Sequence, residues 1–320
     1  MAGRRTALYF SWNRASEIYV DLSHLNNRLP TFYEFRRARW PDMLGAEDPV
    51  KYKQDISGFM DNVILSDFKL FCEIVGSITG VTVPVVQRVE DTGAIHLLDE
   101  AFLEQVDTLI VASLDHFRTE QKPTSKEIEA IRHFLEREES CLIICPHHDI
   151  GAGGDLESQL VEFLHHGDRI VPPQQRQGGF GEALFAGLGL PVVHRYGISP
   201  GKSSDGNEPA PLQIFTELDD PKVLEGVTTF NIHPHLPHFQ ASADAPSGSV
   251  RVLAKQPINQ AMPPHPLQQS GDSFFNPLLW IPPSGSRAGN VFTCDGTLFT
   301  SVFGGLESLK IFWSNLAQMK

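Results

Sequence analysis

The sequence predicts a mainly parallel α/β protein, and three observations support that prediction. Short β-rich runs alternate with helical patterns along most of the 320 residues, which is the order of strand–helix–strand units. Residues 141–145 form a continuous apolar run, typical of a strand that is covered on both faces. A capping box, Thr124-Ser125-Lys126-Glu127, opens an amphipathic helix just before that run. The chain is therefore expected to form a central sheet with helices on both faces.

The other elements follow from the same two periodicities. Residues 61–76 carry an apolar face at helical spacing and predict a helix, and a second helix is expected over 156–165. A last helix carries an apolar stripe from Leu306 to Leu316. Further strands are predicted at residues 7–11, 81–86, 108–112, 191–194, 212–216, 228–232, 250–254 and 290–294.

We expect one α/β domain over residues 1–320. Residues 12–80 fit no family pattern and are interpreted as an elaborated N-terminal segment. Two loops rich in Pro, Ser and Gly, at 199–211 and 256–289, are interpreted as surface insertions, because a strand is predicted after each of them.

Composition and charge limit the classes of function. The formal net charge of −13 argues against a nucleic-acid partner, because phosphates require basic patches. No apolar run approaches the roughly 20 residues that span a bilayer, and the first residues lack the apolar region of a signal peptide. These features predict a cytoplasmic protein that acts on a small-molecule substrate and has no membrane partner. Assembly into a homo-oligomer stays open.

The order of elements in the second part of the chain is recognisable. It depends on these segments: Asp107-Thr-Leu-Ile-Val-Ala112, the capped helix, Cys141-Leu-Ile-Ile-Cys145, Asp220-Pro-Lys-Val-Leu-Glu-Gly226, Val250-Arg-Val-Leu-Ala254 and Gly289-Asn-Val-Phe-Thr-Cys-Asp-Gly-Thr-Leu-Phe299. Together they resemble the class I glutamine amidotransferase-like superfamily, and the last three look like its ThuA-like branch. The likeness covers roughly residues 105–320. It implies a doubly wound, flavodoxin-like sheet, but the superfamily contains amidotransferases, proteases, chaperone-like proteins and non-enzymatic domains, so function stays open.

Cys145 falls near the position of the nucleophile that this resemblance implies. In the amidotransferases, that cysteine lies on a sharp turn where a central strand meets a helix, and the next backbone N–H stabilises the oxyanion. Here the next residue is Pro146, which has no N–H and favours an extended conformation at Cys145. We therefore interpret Cys145 as a buried structural residue first, and leave a nucleophile or a thiolate metal ligand as alternatives.

Histidines and a carboxylate follow the ends of two predicted strands. Ligands bind at the carboxyl ends of strands in open α/β sheets, so this rim is the expected site. His233 and His235 are two apart, which would place both on one face of an extended strand, and Pro234 favours that geometry. A divalent metal, Zn or Fe, is therefore predicted. Its candidate ligands are His147, His148, Asp149, His233, His235 and His238.

Histidines of this kind also line neutral ligand pockets or subunit contacts, and that alternative stays open. The doublet His165-His166, like His116, could supply an alternative ligand or support the ligands from outside, but it is interpreted as a helix terminus at which cationic histidine interacts with the dipole.

The sequence thus predicts a metal-dependent hydrolase or lyase that acts on a small polar molecule. Candidate catalytic groups are Cys145, His148 and Asp149, because a cluster member that does not bind the metal could act as general base. One alternative is a Cys145-dependent hydrolase assisted by a neighbouring histidine. Another is a non-catalytic ThuA-like ligand-binding domain.

Overall fold

Two sheets organise the computed structural model, which describes residues 3–18, 65–116, 119, 121–153, 155–166, 175–204, 206–285 and 287–319. The strands are β1 (Thr6–Asn13), β2 (Val85–Val89), β3 (Thr108–Ser113), β4 (Cys141–Pro146), β5 (Asp149–Ile150), β6 (Gln175–Arg176), β7 (Val192–Ile198), β8 (Gln213–Ile214), β9 (Leu236–Ala241), β10 (Arg251–Pro257), β11 (Phe274–Ile281) and β12 (Asn290–Cys294).

The helices surround these strands. They are α1 (Arg14–Ile18), α2 (Lys69–Thr79), α3 (Glu100–Leu103), α4 (Ser125–Phe134), α5 (Leu156–His165), α6 (Gly179–Leu188), α7 (Pro266–Gln269) and α8 (Leu306–Gln318), with short 3-10 turns at Leu65–Phe68, Thr216–Leu218 and Gly296–Phe299. None of the helices in the described ranges is long and apolar enough to cross a bilayer.

The larger sheet has eight strands in the order β2-β1-β3-β4-β12-β11-β10-β8. The first five are parallel to their neighbours, and the last three pair antiparallel. Ile144 of β4 lies opposite Val111 of β3 and Thr293 of β12, so the carboxyl ends of these three strands reach one rim. The prediction of a mainly parallel α/β protein is confirmed.

Apolar side chains from both faces of this sheet form two cores. On one face, α2 and α8 contribute Phe71 and Trp313; on the other, α4 and α6 contribute Ile131 and Phe180. Each such side chain contributes roughly 1.5–3 kcal/mol by leaving water. Burial on both faces explains why β4 reads as an uninterrupted apolar run.

The predicted start of α4 is confirmed in detail. Thr124 accepts a hydrogen bond at Oγ1 from the Glu127 backbone N–H at 3.2 Å, and its own N–H donates to Oε2 of Glu127 at 2.8 Å. Glu127 also ion-pairs with Arg88 of β2, so the cap ties α4 to the sheet edge.

Two predictions about elements need correction. Residues 228–232 do not form a strand, because their N–H groups bond to the final helix and its loop: Thr228 N–H donates to Ser308 Oγ at 2.9 Å. The segment 256–289 is not a surface insertion, since it contains β11 within the large sheet. Pro277 interrupts the strand-like sequence pattern of β11, so this strand was not predicted. The proline lies in a bulge against β10, where the lack of a backbone N–H is tolerated.

The predicted helix over 61–76 corresponds to the 3-10 turn Leu65–Phe68 and α2, which runs to Thr79. Residues 61–64 and most of the expected N-terminal elaboration, 19–64, lie outside the described residues.

A smaller sheet, not predicted, has the order β6-β5-β7-β9 and antiparallel pairing. It starts directly after β4 and ends with the strand that follows His235. The chain segments that carry the predicted site residues are therefore brought to the same rim.

Candidate functional site

His147 and Asp295 meet at the carboxyl ends of β4 and β12. His147 Nδ1 lies 2.8 Å from Oδ2 of Asp295. The second carboxylate oxygen, Oδ1, accepts hydrogen bonds from the N–H and the hydroxyl of Thr297 at 2.8 and 2.5 Å. The side chain of Asp295 therefore does two things: it orients the imidazole of His147, and it caps the start of the 3-10 turn Gly296–Phe299.

The charge of Asp295 defines the tautomer of His147. Burial alone would raise the pKa of this carboxyl, but attraction to His147, the hydrogen bond with it and the contribution of His233 outweigh burial and hold the pKa below its usual value. An ionised carboxylate only accepts hydrogen bonds, so Nδ1 of His147 carries the hydrogen. In the neutral tautomer of this ring, the lone pair is then on Nε2.

His148 has the same arrangement with a different acceptor. Its Nδ1 lies 2.9 Å from the backbone carbonyl of Gln175 in β6, and a carbonyl accepts but cannot donate. Burial, together with the neighbouring His147 and His235, lowers the pKa of His148 well below its usual value. His148 is therefore neutral at physiological pH, with Nε2 free of a proton.

His233 and His235 lie beside this pair, but not on a strand. His233 is in irregular backbone, and Pro234 and His235 form a turn before β9. The backbone N–H of His235 donates to Nδ1 of His233 at 3.2 Å. Burial and the proximity of His147 lower the pKa of His233 to about 3. The neutral ring therefore carries its proton on Nε2.

His166, which follows α5, was left out of the predicted ligand set and was interpreted as part of a helix terminus. Its ring centroid lies 4.3 Å from that of His235. Burial and neighbouring histidines, among them His165, lower the pKa of His166 well below its usual value, so the expectation of a cationic helix terminus is wrong.

These five side chains form one group, which we call the imidazole cluster: His147, His148, His166, His233 and His235. Its ring centroids are 4.2 Å apart for His147 and His148, 5.0 Å for His147 and His233, 5.1 Å for His148 and His235, and 5.9 Å for His233 and His235. Four of the six predicted metal ligands are thus brought together.

Asp149 and His238, the other two predicted ligands, have side-chain partners outside the cluster. Asp149 pairs with Arg176 across β5 and β6 at 2.9 Å. His238 accepts a hydrogen bond at Nδ1 from the backbone N–H of Asn276 in β11 at 3.1 Å. The turn at His235 reverses the chain before β9, so His238 faces β11 rather than the cluster.

Two polar side chains of α5, His165 and Glu162, hold the helix in place beside the imidazole cluster. Both ring nitrogens of His165 are occupied: Nδ1 by the carbonyl of Pro263 at 2.7 Å and Nε2 by the N–H of Ser199 at 3.0 Å. Glu162 accepts from the N–H groups of Gly151 and Gly197 at 2.9 and 3.2 Å. These bonds fasten α5, and hence His166, to the small sheet.

Cys145 is enclosed below the cluster. Its Sγ lies 3.9 Å from Sγ of Cys294 on β12, and both side chains are fully buried. Burial, and next the contact with Cys294, raise the pKa of the Cys145 thiol well above its usual value. β4 runs on through Pro146 without a sharp turn. These features fit a structural thiol, since a nucleophile must be an accessible thiolate.

The predicted metal is not tested by this arrangement. Among the described residues, no three His, Cys, Asp or Glu side chains are already placed to hold one ion. Two imidazoles bound to one tetrahedral Zn²⁺ through bonds of about 2.0–2.1 Å have ring centroids about 5 Å apart. The spacings of His147 from His233 and of His148 from His235, 5.0 and 5.1 Å, match that value.

A groove of about 1150 Å³ lies elsewhere, near the amino end of β12. Its lining includes Glu129, Arg132 and His133 of α4 and Arg287. These ionisable groups are of both signs, and the lining holds no member of the imidazole cluster.

Comparisons with known proteins add little. No family model and no curated protein matches the chain. Among solved structures, it is similar to a chain described as the mmIFT52 N-terminal domain, with a TM-score of 0.42 and 8% identity, over 76% of this chain and 86% of that chain. A similarity of this size supports no conclusion about activity.

Proposed function

We propose that this protein is a metal-dependent hydrolase or lyase that acts on a small polar molecule at the carboxyl rim of the large sheet. The observation that carries the proposal is the imidazole cluster. Five buried or half-buried histidines are packed ring against ring, and both ring nitrogens of His166 are buried without a hydrogen-bond partner among the described residues. Burying polar groups without partners costs free energy, so a ligand that fills them is the expected compensation.

The protonation state of the cluster supports the same chemistry. The pKa values of His148, His166 and His235 are all lowered, chiefly by burial and then by neighbouring histidines. Neutral imidazoles bind divalent ions such as Zn²⁺ or Fe²⁺, whereas imidazolium cannot. A divalent ion held there would lower the pKa of a bound water or polarise a carbonyl group.

The His147–Asp295 pair would supply proton transfer. Asp295 holds the ring orientation and keeps the hydrogen on Nδ1, so Nε2 can take a proton from a nucleophile and return it to a leaving group. A general base of this kind contributes about 10²–10⁴-fold to the rate. The finer fold class, flavodoxin-like with a ThuA-like relationship, belongs to the same proposal; the adjacent parallel strands β2-β1-β3-β4-β12 support it.

Metal content and turnover test the proposal together. Purified full-length protein should contain a stoichiometric divalent transition metal, measured by elemental analysis, and hydrolyse or cleave at least one member of a panel of small amides, esters and lactones. Chelation should abolish turnover and Zn²⁺ or Fe²⁺ should restore it. Protein that takes up no metal, or turnover that survives complete metal removal, contradicts the proposal.

Two variants make the assay specific. His147→Ala should lose turnover, whereas His133→Ala, which removes a surface histidine of α4, should keep it. Binding of a panel member without turnover would instead support a ligand-binding domain that uses the same rim.

A further inference from the structure

The hydrogen bonds of the imidazole cluster divide it into members that can bind an ion and members that cannot. A histidine that ligates a metal must present an unprotonated ring nitrogen, and its other nitrogen usually donates to a carbonyl or a carboxylate. His148 meets both conditions, because Nδ1 donates to the Gln175 carbonyl and Nε2 is free.

His233 fails the first condition. Its Nδ1 already accepts the backbone N–H of His235, and the neutral ring therefore presents a protonated Nε2. The rings of His233 and Phe303 also pack in a T-shaped arrangement, with centroids 4.5 Å apart. Using His233 as a ligand would require breaking the bond that shapes the turn at His235.

His166 is the cluster member whose ring nitrogens most clearly lack hydrogen-bond partners. Both of its ring nitrogens are shielded from solvent, and neither has a hydrogen-bond partner among the described residues. The ring packs against His235, whose own nitrogens make no hydrogen bond within the described residues, and His235 in turn packs against His148.

We propose that His148, His166 and His235 form a three-histidine site for a divalent transition metal, and that the His147–Asp295 pair stays outside it as the proton acceptor. This rests on the proposed function and assigns the ion to one half of the cluster. His166 follows the last residue of α5, and His235 lies in a turn. Both rings can therefore close on an ion by side-chain rotation, without displacing a strand.

Cobalt binding to the full chain tests the assignment. Co²⁺ replaces Zn²⁺ in imidazole sites and gives visible absorption bands, so affinity can be read by titration after metal removal. His148→Ala, His166→Ala and His235→Ala should each weaken Co²⁺ binding by about 100-fold or more, because each removes a ligand. The surface control His133→Ala should bind as the wild type does.

A substitution with a positive signal guards against loss of folding. In His166→Cys a thiolate replaces the imidazole, and a thiolate bound to Co²⁺ adds a charge-transfer band in the near ultraviolet. The matched variant His133→Cys, at the surface of α4, should bind Co²⁺ without that band.

The outcomes separate the two proposals. If the wild type binds Co²⁺ but His166→Ala keeps its affinity, or His166→Cys shows no charge-transfer band, the three-histidine assignment is overturned while the proposed function stands. If the wild type binds neither Co²⁺ nor Zn²⁺, both are overturned.

Discussion

His147 and Asp295 join the ends of two neighbouring parallel strands through a bond of 2.8 Å between Nδ1 and Oδ2. β4 and β12 pair in register, with Ile144 opposite Thr293, so the residues that follow them are delivered to the same place. The pair is therefore a direct consequence of the strand order, in which two segments about 150 residues apart in the chain become neighbours.

Replacing Asp295 with Asn should reduce kcat/KM by about 10²–10⁴-fold, because an amide can turn its NH₂ toward Nδ1 and favour the wrong tautomer of His147. Metal content should not change, since Asp295 is bonded to His147 and Thr297. Steady-state kinetics and elemental analysis of the same preparation check both statements.

The control for this variant is Asp219→Asn. Asp219 is another buried carboxylate, which accepts the backbone N–H groups of Val223 and Leu224 near the other edge of the sheet. It should lose stability and keep its activity. Equal losses of kcat/KM in the two variants would show that Asp295 acts only through the fold.

The periodicity of the sequence predicted helices and strands whose apolar residues follow a regular pattern of burial. It failed where a proline interrupts a strand, or where the backbone N–H groups of a strand-like segment bond outside a sheet. β4 and α4 follow directly from an apolar run and a capping box. β11 was missed because Pro277 breaks its pattern, and only the bulge against β10 makes the proline acceptable. Residues 228–232 have a strand-like composition, but they bond to α8 and its loop.

The site was predictable to the extent that it depends on strand ends. His147 and His148 follow β4, and the strand order brings the segment of His233 and His235 to them. Asp295 could have been found by the same rule, because it directly follows the predicted strand 290–294. His166 could not, since its position depends on how α5 docks on the small sheet.

Cys145→Ala should keep kcat/KM and lower the free energy of unfolding by about 1–2 kcal/mol, as expected when a buried contact with Cys294 is lost. Cys294→Ala is the matched control, because it removes the other sulfur of the same contact. A structural role predicts similar effects in both, measured by urea unfolding and kinetics. Loss of activity in Cys145→Ala alone, with stability retained, would support the cysteine-dependent alternative.

Glu162 should make stability fall as pH rises. Burial raises the pKa of its carboxyl to about 7, despite the hydrogen bonds from Gly151 and Gly197. The folded state therefore binds more protons than the unfolded state, whose glutamate has a pKa of about 4.3. Its contribution is complete below that value and is lost as pH rises through about 7.

Glu162→Gln isolates this contribution from the other titrating groups. The difference in unfolding free energy between wild type and Glu162→Gln should shift against the wild type by on the order of 2 kcal/mol between pH 4 and pH 8. Urea unfolding at several pH values measures it. A difference that is constant with pH would mean that folding does not raise the pKa of Glu162.

Glu127 and Arg88 should show how strongly a buried ion pair holds α4 to β2. Both side chains are almost fully buried, and Arg88 Nη2 lies 3.0 Å from Oε2. Burial alone would raise the pKa of Glu127, but the hydrogen bond from Arg88 outweighs it and lowers the pKa. The stabilisation is therefore present above about pH 4.3 and is lost as pH falls through the lower folded value.

Glu127→Gln should cost about 3–5 kcal/mol at neutral pH, because it leaves the Arg88 cation buried without a counter-charge. In Glu307→Gln, which breaks the exposed pair with Lys310 on α8, the loss should be below about 1 kcal/mol. Urea unfolding of both variants compares a buried and an exposed pair in one protein. Equal, small losses would mean that water or another acidic group replaces Glu127, and that the cap of α4 depends on Thr124 alone.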